Sequence, residues 1–405
     1  MRRRDLLKAA GLIAAWAAPL TVAGRLMAAP QTSARLLVVF LRGAYDAANV
    51  VVPIHSDFYY AARPTLAIAR PDPANPNAAK PLTADWGLHP ALADTILPLW
   101  TKGQCAFVPF AGTDDMTRSH FETQDTIEMG QPPDGSGNGS SRNYGSGFMS
   151  RLAGQLTGVT PIAFTDQMPL IFRGGAPIPN VAINQVGKPG VDARQAQLIE
   201  GMYQGQPLAP AVKEGFTVRD EVYSSISQEM AAASRGAVSP KGFELSARRI
   251  AHLMQTQFNL GFVDVGGWDT HVNQGGAQGY LAGRLAELGR GLAGFADEIG
   301  PADWNRTTVV VISEFGRTFH ENGDHGTDHG HGGAFWVLGG GIKGRRIVGR
   351  QVELVAANLN QNRDYQVLNE YRAVLGGLFA RLYGLPPNRL QAVFPQTQPT
   401  DLALV

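Results

Sequence analysis

The sequence predicts an α/β fold built around a parallel sheet, and three stretches of the chain support this prediction. Leu36–Leu41 is a continuous apolar run, typical of a central parallel strand that is buried on both faces. Residues 309–312 form a second short run of β-branched residues, too short for a helix. Residues 260–265, 277–299 and 307–312 have the patterns of a strand, a helix and a strand, as in two parallel strands joined by a helical crossover.

The composition is that of a chain able to bury a full hydrophobic core. Of its 405 residues 44% are hydrophobic, and the length fits one large domain or two. The 35 basic and 34 acidic residues leave a net charge of +1, so the charge balance does not indicate a nucleic-acid partner. The single cysteine, Cys105, lies in an apolar run and is predicted to be a buried structural thiol.

Residues 1–29 are predicted to be a twin-arginine signal peptide. Arg2–Lys8 has paired arginines, then a polar residue, two apolar residues and a lysine. Ala9–Gly24 carries no charge and is short for a membrane span, which suits a signal h-region; an uncleaved anchor is the alternative. We therefore expect residues 30–405 to form a single domain that is periplasmic or otherwise exported by the twin-arginine translocase, with no stable membrane span once the signal is removed.

A group of candidate catalytic residues lies at a predicted strand-to-helix junction, after a strand over residues 105–111. Thr117 and Ser119 precede the helix, where free N–H groups stabilise an anion and suit a nucleophile attacking phosphate or sulfate. An ordinary N-cap hydroxyl is the alternative, favoured on this stretch alone. Arg118 and His120 flank the hydroxyl of Ser119, and both could neutralise an oxyanion.

The loop between the apolar runs 309–312 and 334–338 has a dense set of possible metal ligands. Carboxylate and imidazole groups together bind divalent transition metals. Open α/β sheets place their ligands in loops at the carboxyl ends of strands. A solvated polar loop is the alternative. The candidate ligands here are Glu314, Asp328, His329 and His331.

Two other strand ends add candidate ligands. Asp269 and His271 follow an apolar strand and a glycine turn, and a spacing of two lets both reach one ion. Asp46 follows the strand at 36–41, where it could hold a metal or cap a helix; capping is the commoner role for one aspartate. One or two divalent ions are expected, with Zn or Mn suiting mixed imidazole and carboxylate ligands better than Ca or Mg.

The remaining segments predict the connections and outer elements. These are loop insertions near 57–85 and 131–147, the second a possible lid; a helix over 87–100; a helix that follows the polar run 113–122, continues through Met129 and stops at Gly130; short strands at 161–164 and 170–172; irregular chain over 173–210; helix over most of 211–260; and a closing helix over 369–382.

Seven motifs along the chain resemble one family. RRRDLLK, LLVVFLRGAYD, GLHPAL, TRSHFETQD, GGWDTH, VVVISEFGRT and GTDHGHGGAFWVLGGG together look like the DUF1501 family of exported bacterial proteins, over nearly all of the mature chain. That family is similar to the alkaline phosphatase/sulfatase superfamily. The resemblance implies a three-layer α/β/α sandwich with a mixed, largely parallel sheet and a metal site for hydrolysing phosphate or sulfate esters.

The resemblance also implies roles for individual residues. The nucleophile would be Ser119, with Thr117 as its rival. Phe315 follows Glu314 where the superfamily has a second ligand, so Arg317 or a neighbouring histidine would have to compensate. The implied metal ligands are, in chain order, Asp46, Asp269 with His271, Glu314, and His331 or His329.

The function that these observations favour is an exported, metal-dependent hydrolase of phosphate or sulfate esters, acting on a small-molecule or polymer substrate. The alternative is a metal-binding scaffold of the same fold that has lost catalysis and acts in envelope assembly. The absence of a histidine after Glu314 favours the alternative, whereas the dense Asp328, His329 and His331 group favours retained metal chemistry.

Overall fold

The computed structural model describes residues 33–132, 144–175, 177–183, 193–217 and 242–405. The predicted signal peptide lies outside these residues, as do residues 133–143 of the predicted lid and residues 218–241 of the predicted helical stretch. The predictions for these segments therefore stay predictions.

Eleven strands form two sheets in the described part of the chain, a large central one and a very small one. In chain order they are β1 (Arg35–Leu41), β2 (Val51–Val52), β3 (Lys80–Pro81), β4 (Gly87–Leu88), β5 (Cys105–Gly112), β6 (Pro161–Ala163), β7 (Leu260–Val265), β8 (Thr307–Ser313), β9 (Gly333–Leu338), β10 (Arg346–Ile347) and β11 (Asn369–Glu370).

The central sheet has eight strands in the order β10-β5-β9-β8-β1-β7-β6, with β11 also paired to β5. β1 pairs in parallel with both β7 and β8, and β9 is antiparallel to both of its neighbours, β5 and β8. The remaining strand pairs of this sheet are parallel. Strands β2, β4 and β3 form the small antiparallel sheet.

Helices cover both faces of the central sheet. Alternate residues of β1 enter two separate hydrophobic cores: Leu37 and Val39 lie in one, and Val38 and Phe40 in the other. Because both faces of β1 are buried, residues 36–41 include no polar residue. The predicted α/β/α sandwich with a mixed, largely parallel sheet is confirmed. The helices include α1 (Asp57–Ala62), α2 (Ile96–Thr101), α3 (His120–Met129), α4 (Phe148–Gly154), α5 (Ala193–Tyr203), α6 (Phe243–Thr256), α7 (Tyr280–Glu298), α8 (Pro301–Trp304), α9 (Tyr371–Tyr383) and α10 (Pro387–Val393), and residues 209–217 are also helical.

Several local predictions are confirmed. Helix α3 ends at Met129, and Gly130 follows with a φ of 62°, a left-handed conformation that glycine adopts without steric cost. Cys105 is fully buried in β5, and burial raises the pKa of its thiol. None of the described helices combines the length and apolar character that a membrane span requires.

Two predictions of local structure are wrong. The apolar residues Leu170–Phe172 form a 3₁₀ helix, because the N–H of Ile171 donates to the carboxylate of Glu128 at 2.9 Å instead of joining a sheet. The segment 173–210, predicted to be irregular, contains α5, whose sequence is rich in good helix formers.

Two predictions near the amino-terminal third are also corrected. The predicted helix over 87–100 is divided into β4, a 3₁₀ turn at Pro90–Leu92 and α2. The insertion at 57–85 is more than a surface loop, because Arg63 within it is fully buried.

Acid is expected to destabilise the fold through His89. The Nδ1 atom of His89 accepts from the N–H of Ala91 at 3.0 Å, and Nε2 lies 3.1 Å from the carbonyl oxygen of Gly276, so the neutral ring is fully bonded. Burial lowers the pKa of His89 from 6.5 to about 4. Because the folded state then binds fewer protons than the unfolded state, this stabilisation is complete above about pH 6.5 and is lost as the pH falls toward 4.

The expected loss is roughly 3 kcal/mol in the free energy of unfolding between pH 7 and pH 4. Urea unfolding across this range, on wild type and His89→Gln, measures it. Equal acid sensitivity in the two proteins would show that other groups cause the loss.

Candidate metal centre

Loops at one edge of the central sheet bring the candidate residues together. Strands β1, β5, β7 and β8 all end at this edge because they point the same way, and the reversed strand β9 begins there. The loops after β7 and β8 carry Asp269, His271 and Glu314, and the loop before β9 carries His329. His120 is the first residue of α3, which follows β5. This is the edge at which open α/β sheets bind their ligands.

Two histidine rings turn their Nε2 atoms toward the Nε2 atom of a third, His329. His329 Nε2 lies 2.9 Å from His120 Nε2 and 3.0 Å from His271 Nε2. One oxygen of Asp269 lies 3.0 Å from His271 Nε2 and 3.5 Å from His329 Nε2, and the other lies 3.5 Å from His120 Nε2. We call these four residues the imidazole cluster. In the described ranges, the one group of three or more possible ligands whose atoms all lie within 4.8 Å is His120, Asp269 and His329, with His271 beside it.

The second nitrogen of each ring is held by a group that can only accept a hydrogen bond. A carboxylate or carbonyl oxygen has no proton to give, so the Nδ1 atom must carry the proton. In the neutral rings each Nε2 atom then bears a lone pair, and those of His120 and His271 lie on either side of His329 Nε2. The partners are Glu314 Oε1 at 2.7 Å from His120 Nδ1, Asp328 Oδ1 at 3.1 Å from His271 Nδ1, and the Arg118 carbonyl oxygen at 3.0 Å from His329 Nδ1.

This geometry fits a divalent cation. Converging lone pairs and a carboxylate repel one another unless a positive charge lies among them. Histidines that bind metals donate their other N–H to a carboxylate or a carbonyl oxygen, as all three do here. Ligands of a tetrahedral zinc ion at about 2.0–2.1 Å are separated from one another by roughly 3.3 Å. The distances among His120, His329 and Asp269 run from 2.9 to 3.5 Å, and His271 adjoins this group through His329 and Asp269.

Glu314 holds His120 in place without joining the cluster. Its side chain is fully buried, and Oε1 accepts from Gln124 at 2.9 Å and from the N–H of Gly43 at 2.8 Å as well as from His120. Burial alone would raise the pKa of Glu314, but the hydrogen bonds from His120, Gln124 and Ser313 bring it below its ordinary value. Glu314 is therefore an ionised acceptor whose oxygens are already used.

Asp328 holds His271 in a similar way. Its Oδ1 atom also accepts from Asn322 at 3.1 Å, and its side chain is half exposed. Burial acts to raise the pKa of Asp328, but the hydrogen bonds from Asn322 and His271 lower it. Glu314 and Asp328 were predicted to be metal ligands. In the structure each accepts a hydrogen bond from a histidine ring of the cluster instead.

Arg317 and Phe315 form the protein wall of the cluster. Arg317 is fully buried; it donates to Asp269 Oδ1, and its Nη1 lies 3.4 Å from His271 Nε2. Burial would raise the pKa of Asp269, but Arg317 lowers it. Phe315, which stands where the resemblance implies a second ligand, packs its ring 4.9 Å from the His120 ring and 5.0 Å from the His329 ring.

Asp46 does not reach the imidazole cluster. Both of its oxygens bind the guanidinium of Arg63, at 2.5 and 2.9 Å, and one also accepts from Gln274 at 2.6 Å. Arg63 in turn donates to the carbonyl oxygens of Phe319 and Thr318, which lie on the loop after β8. The structure thus gives Asp46 a structural ion pair in place of the metal contact that the sequence predicted.

His331 also lies in a different group of side chains. Its Nδ1 atom is 2.7 Å from Asp364 Oδ2, 2.8 Å from Asn360 Nδ2 and 3.2 Å from Arg118 Nε. Its Nε2 atom is buried and has no hydrogen-bond partner in the described part of the chain. Of the two histidines that the sequence offered as the last ligand, the structure brings His329 and not His331 to the cluster.

The two candidate nucleophiles lie at the start of α3. Ser119 is the N-cap residue, but its hydroxyl makes no capping hydrogen bond. Thr117 Oγ1 is 3.2 Å from Thr123 Oγ1 and accepts from the N–H of Ser119 at 3.4 Å. Arg118, between them, has a φ of 54°, which is uncommon for a residue with a side chain and is found mostly at functional sites and turns.

The sequence reasoning placed His120 among the catalytic residues, and the structure places its ring in the imidazole cluster. A signal was present: His120 and Gln124 are one helical turn apart, so they lie on one face of α3, and both bond to Glu314. What the sequence lacked was the position of α3 next to the end of β8.

A comparison with protein-family models identifies the family of this chain. The model of DUF1501, a protein family of unknown function, matches residues 33–394. A search of the curated proteins finds no match.

Two solved structures are similar to this chain at low sequence identity. One is a protein in the alkaline phosphatase superfamily from Vibrio parahaemolyticus, with 13% identity and a TM-score of 0.36, covering 79% of this chain. This chain spans 64% of the length of that protein. The other is Ps i-CgsB in complex with k-i-k-neocarrahexaose, with 9% identity and a TM-score of 0.37, covering 92% of this chain and 76% of that one.

Proposed function

This chain belongs to the DUF1501 family, and from that premise we propose that it is an exported, metal-dependent hydrolase of phosphate or sulfate esters. The observation that supports the proposal most is the convergence of three Nε2 atoms whose rings are each fixed by an acceptor on Nδ1. The twin-arginine pattern of residues 1–29 supports the proposed export.

The proposed ligands are the members of the imidazole cluster: His120, His271, His329 and Asp269. Four other predicted ligands are not included in this proposal, because each is hydrogen-bonded to other groups in the structure. They are Asp46, Glu314, Asp328 and His331. Imidazole ligands favour zinc or another transition metal over Ca²⁺ or Mg²⁺. When bound, a divalent ion supplies Lewis-acid polarisation of the ester oxygens.

Ser119 is the proposed nucleophile because its chain neighbours on both sides are tied to the cluster. The carbonyl oxygen of Arg118 holds the ring of His329, and His120 contributes its own ring. The hydroxyl of Ser119 is free of capping bonds, whereas that of Thr117 contacts Thr123 and the N–H of Ser119. Ser119 therefore starts α3 beside the metal ligands, where the helix N–H groups stabilise negative charge.

In the proposed reaction, Ser119 Oγ forms a bond to phosphorus or sulfur while the bond to the alcohol oxygen breaks, and the departing alkoxide takes a proton from solvent. The hydroxyl proton of Ser119 passes to solvent, to which the residue is partly exposed. Water then attacks the phosphoryl or sulfuryl group on Ser119 and restores the hydroxyl. Arg118 and the first N–H groups of α3 stabilise the charge on the non-bridging oxygens.

The replacement Ser119→Ala is expected to lower the hydrolysis rate at least about 100-fold and to leave the bound metal unchanged. The assay uses 4-nitrophenyl phosphate and 4-nitrophenyl sulfate, with metal content measured on the same samples. Thr117→Ala is the matched control and should keep most of the rate. Full activity in Ser119→Ala together with loss in Thr117→Ala would reverse the assignment of the nucleophile.

A second candidate function is a metal-binding scaffold without catalysis. Arg317 favours it, because this buried guanidinium already occupies one oxygen of Asp269. Bound metal without hydrolysis of either ester, in wild type and in Ser119→Ala alike, would support the scaffold and contradict the hydrolase.

A further inference from the structure

A second candidate site lies beside the metal centre, at the ends of β6 and β7. A cavity of about 900 Å³ is bounded there by the chain after each of these strands and by α6 and α7. This volume is within the range of small-molecule sites, about 300–1,000 Å³. Its apolar lining includes Phe164, Met168, Ile183, Phe243 and Ile250.

Most of the charged groups that line this cavity neutralise one another. Arg42 pairs with Asp264 at 2.6 Å, and Arg284 pairs with Glu287. Asp166 is exposed, so water solvates its charge. Arg249, the remaining charged group of the lining, is neither paired with a described carboxylate nor exposed to water.

Arg249 is a buried cation without a counter-ion in the described residues. The residue is 9% exposed, and its guanidinium has one hydrogen bond, from Nη1 to the carbonyl oxygen of Ile183 at 2.9 Å. Its Nε atom is buried and has no hydrogen-bond partner in the described ranges. Burial lowers the pKa of Arg249. A buried charge is costly unless it is paired, so a bound anion at Arg249 would remove this cost.

We propose that this cavity binds the anionic group of an organic molecule, a carboxylate, sulfate or phosphate, with Arg249 as its counter-ion. The planar guanidinium suits these oxyanions. The apolar lining receives the carbon skeleton of the molecule. This site goes beyond the proposed function, because it needs no metal and none of the residues of the imidazole cluster.

The cavity nevertheless adjoins the support of that cluster. Arg42, in its lining, donates to Gln124 at 2.7 Å, and Gln124 donates to Glu314, the acceptor of His120. A variant test must therefore separate the two sites.

The probe is naphthalene-2-sulfonate, an organic anion that cannot be hydrolysed as an ester, titrated into the full chain by calorimetry. We expect Arg249→Met to weaken its binding at least tenfold. Arg248→Met is the matched control: it is the preceding residue of α6, has Glu244 and Glu298 as partners and does not line the cavity. Its affinity should equal that of wild type. Equal affinity in wild type and Arg249→Met, or no binding to wild type, would overturn the proposal.

Three further titrations complete the test. Inorganic sulfate should bind more weakly than the sulfonate; equal affinity would mean that a free ion and not an organic molecule is the ligand, against the proposal. The variant His329→Ala should bind the sulfonate as wild type does, and a loss there would place the anion at the metal cluster instead. If Arg249→Met does not fold, Arg249→Lys must bind at least severalfold more weakly than wild type, since it keeps the charge and loses the planar donor pair; unchanged affinity would contradict the proposal.

Discussion

The replacement His329→Ala is expected to remove stoichiometric metal from the protein. His329 Nε2 is the atom that lies next to both other rings, at 2.9 and 3.0 Å. Losing a group that merely orients a ligand costs about 10–100-fold in metal affinity, so losing a ligand should cost roughly 100-fold or more. Elemental analysis for Zn, Mn and Fe, on protein purified without chelator, measures the outcome.

Two histidines close in sequence serve as controls for His329→Ala. His325 is exposed on the same loop, so His325→Ala should keep its metal. His331 bonds to Asp364, so His331→Ala should also keep its metal if it folds. Metal retained in His329→Ala but lost in His331→Ala would show that the wrong histidine has been assigned. The absence of bound metal in the wild-type protein would contradict the proposal that the protein is a metal-dependent hydrolase.

The replacement Arg63→Met is expected to lower the free energy of unfolding by about 3–5 kcal/mol, because it leaves Asp46 as a buried charge without its partner. The two side chains are 0% and 1% exposed. Arg63 also donates to two carbonyl oxygens of the loop after β8, so these acceptors lose their donors too. Urea unfolding of both proteins at pH 7 measures the difference.

An exposed ion pair nearby gives the matched control for Arg63→Met. Arg70 pairs with Asp57, and their side chains are 48% and 97% exposed, so Arg70→Met should change stability little. The double variant Arg63→Met with Asp46→Leu should recover much of the loss, because neither charge remains. Similar stability losses in Arg63→Met and Arg70→Met would mean that burial does not determine how much the Arg63–Asp46 ion pair contributes to the free energy of unfolding. Metal content gives a separate test of Asp46. The variant Asp46→Asn should bind as much metal as wild type, and a loss of metal would show that Asp46 is a ligand after all.

Local patterns determined those parts of the fold that depend on neighbouring residues. The strand Arg35–Leu41 could be predicted because its continuous apolar residues suit a strand that is buried on both faces. The end of α3 could be predicted because Gly130 readily adopts the conformation that ends a helix. The segment Leu170–Phe172 shows the limit of such patterns. Its apolar residues are equally compatible with a buried strand and a buried turn, and a carboxylate forty-three positions away, Glu128, selected the turn.

The same limit applies to the candidate centre. The sequence alone identified the residue types, since aspartates and histidines that follow apolar strands indicate a site at one edge of a sheet. It also supplied Asp269, His271 and His329, which the structure brings together. It could not decide which carboxylates face the shared space and which only orient a ring, because this depends on partners far away along the chain.

The tertiary structure decided the membership of the cluster. The order β5-β9-β8 places the start of α3 beside the end of β8, and so His120 meets Glu314 and His329. Asp46 is removed from the cluster because Arg63, in a segment predicted to be a surface loop, folds back as its partner. A side chain's neighbours within a few positions are set by the sequence. Its contacts across the sheet are set by the order of the strands, which the local pattern of residues does not contain.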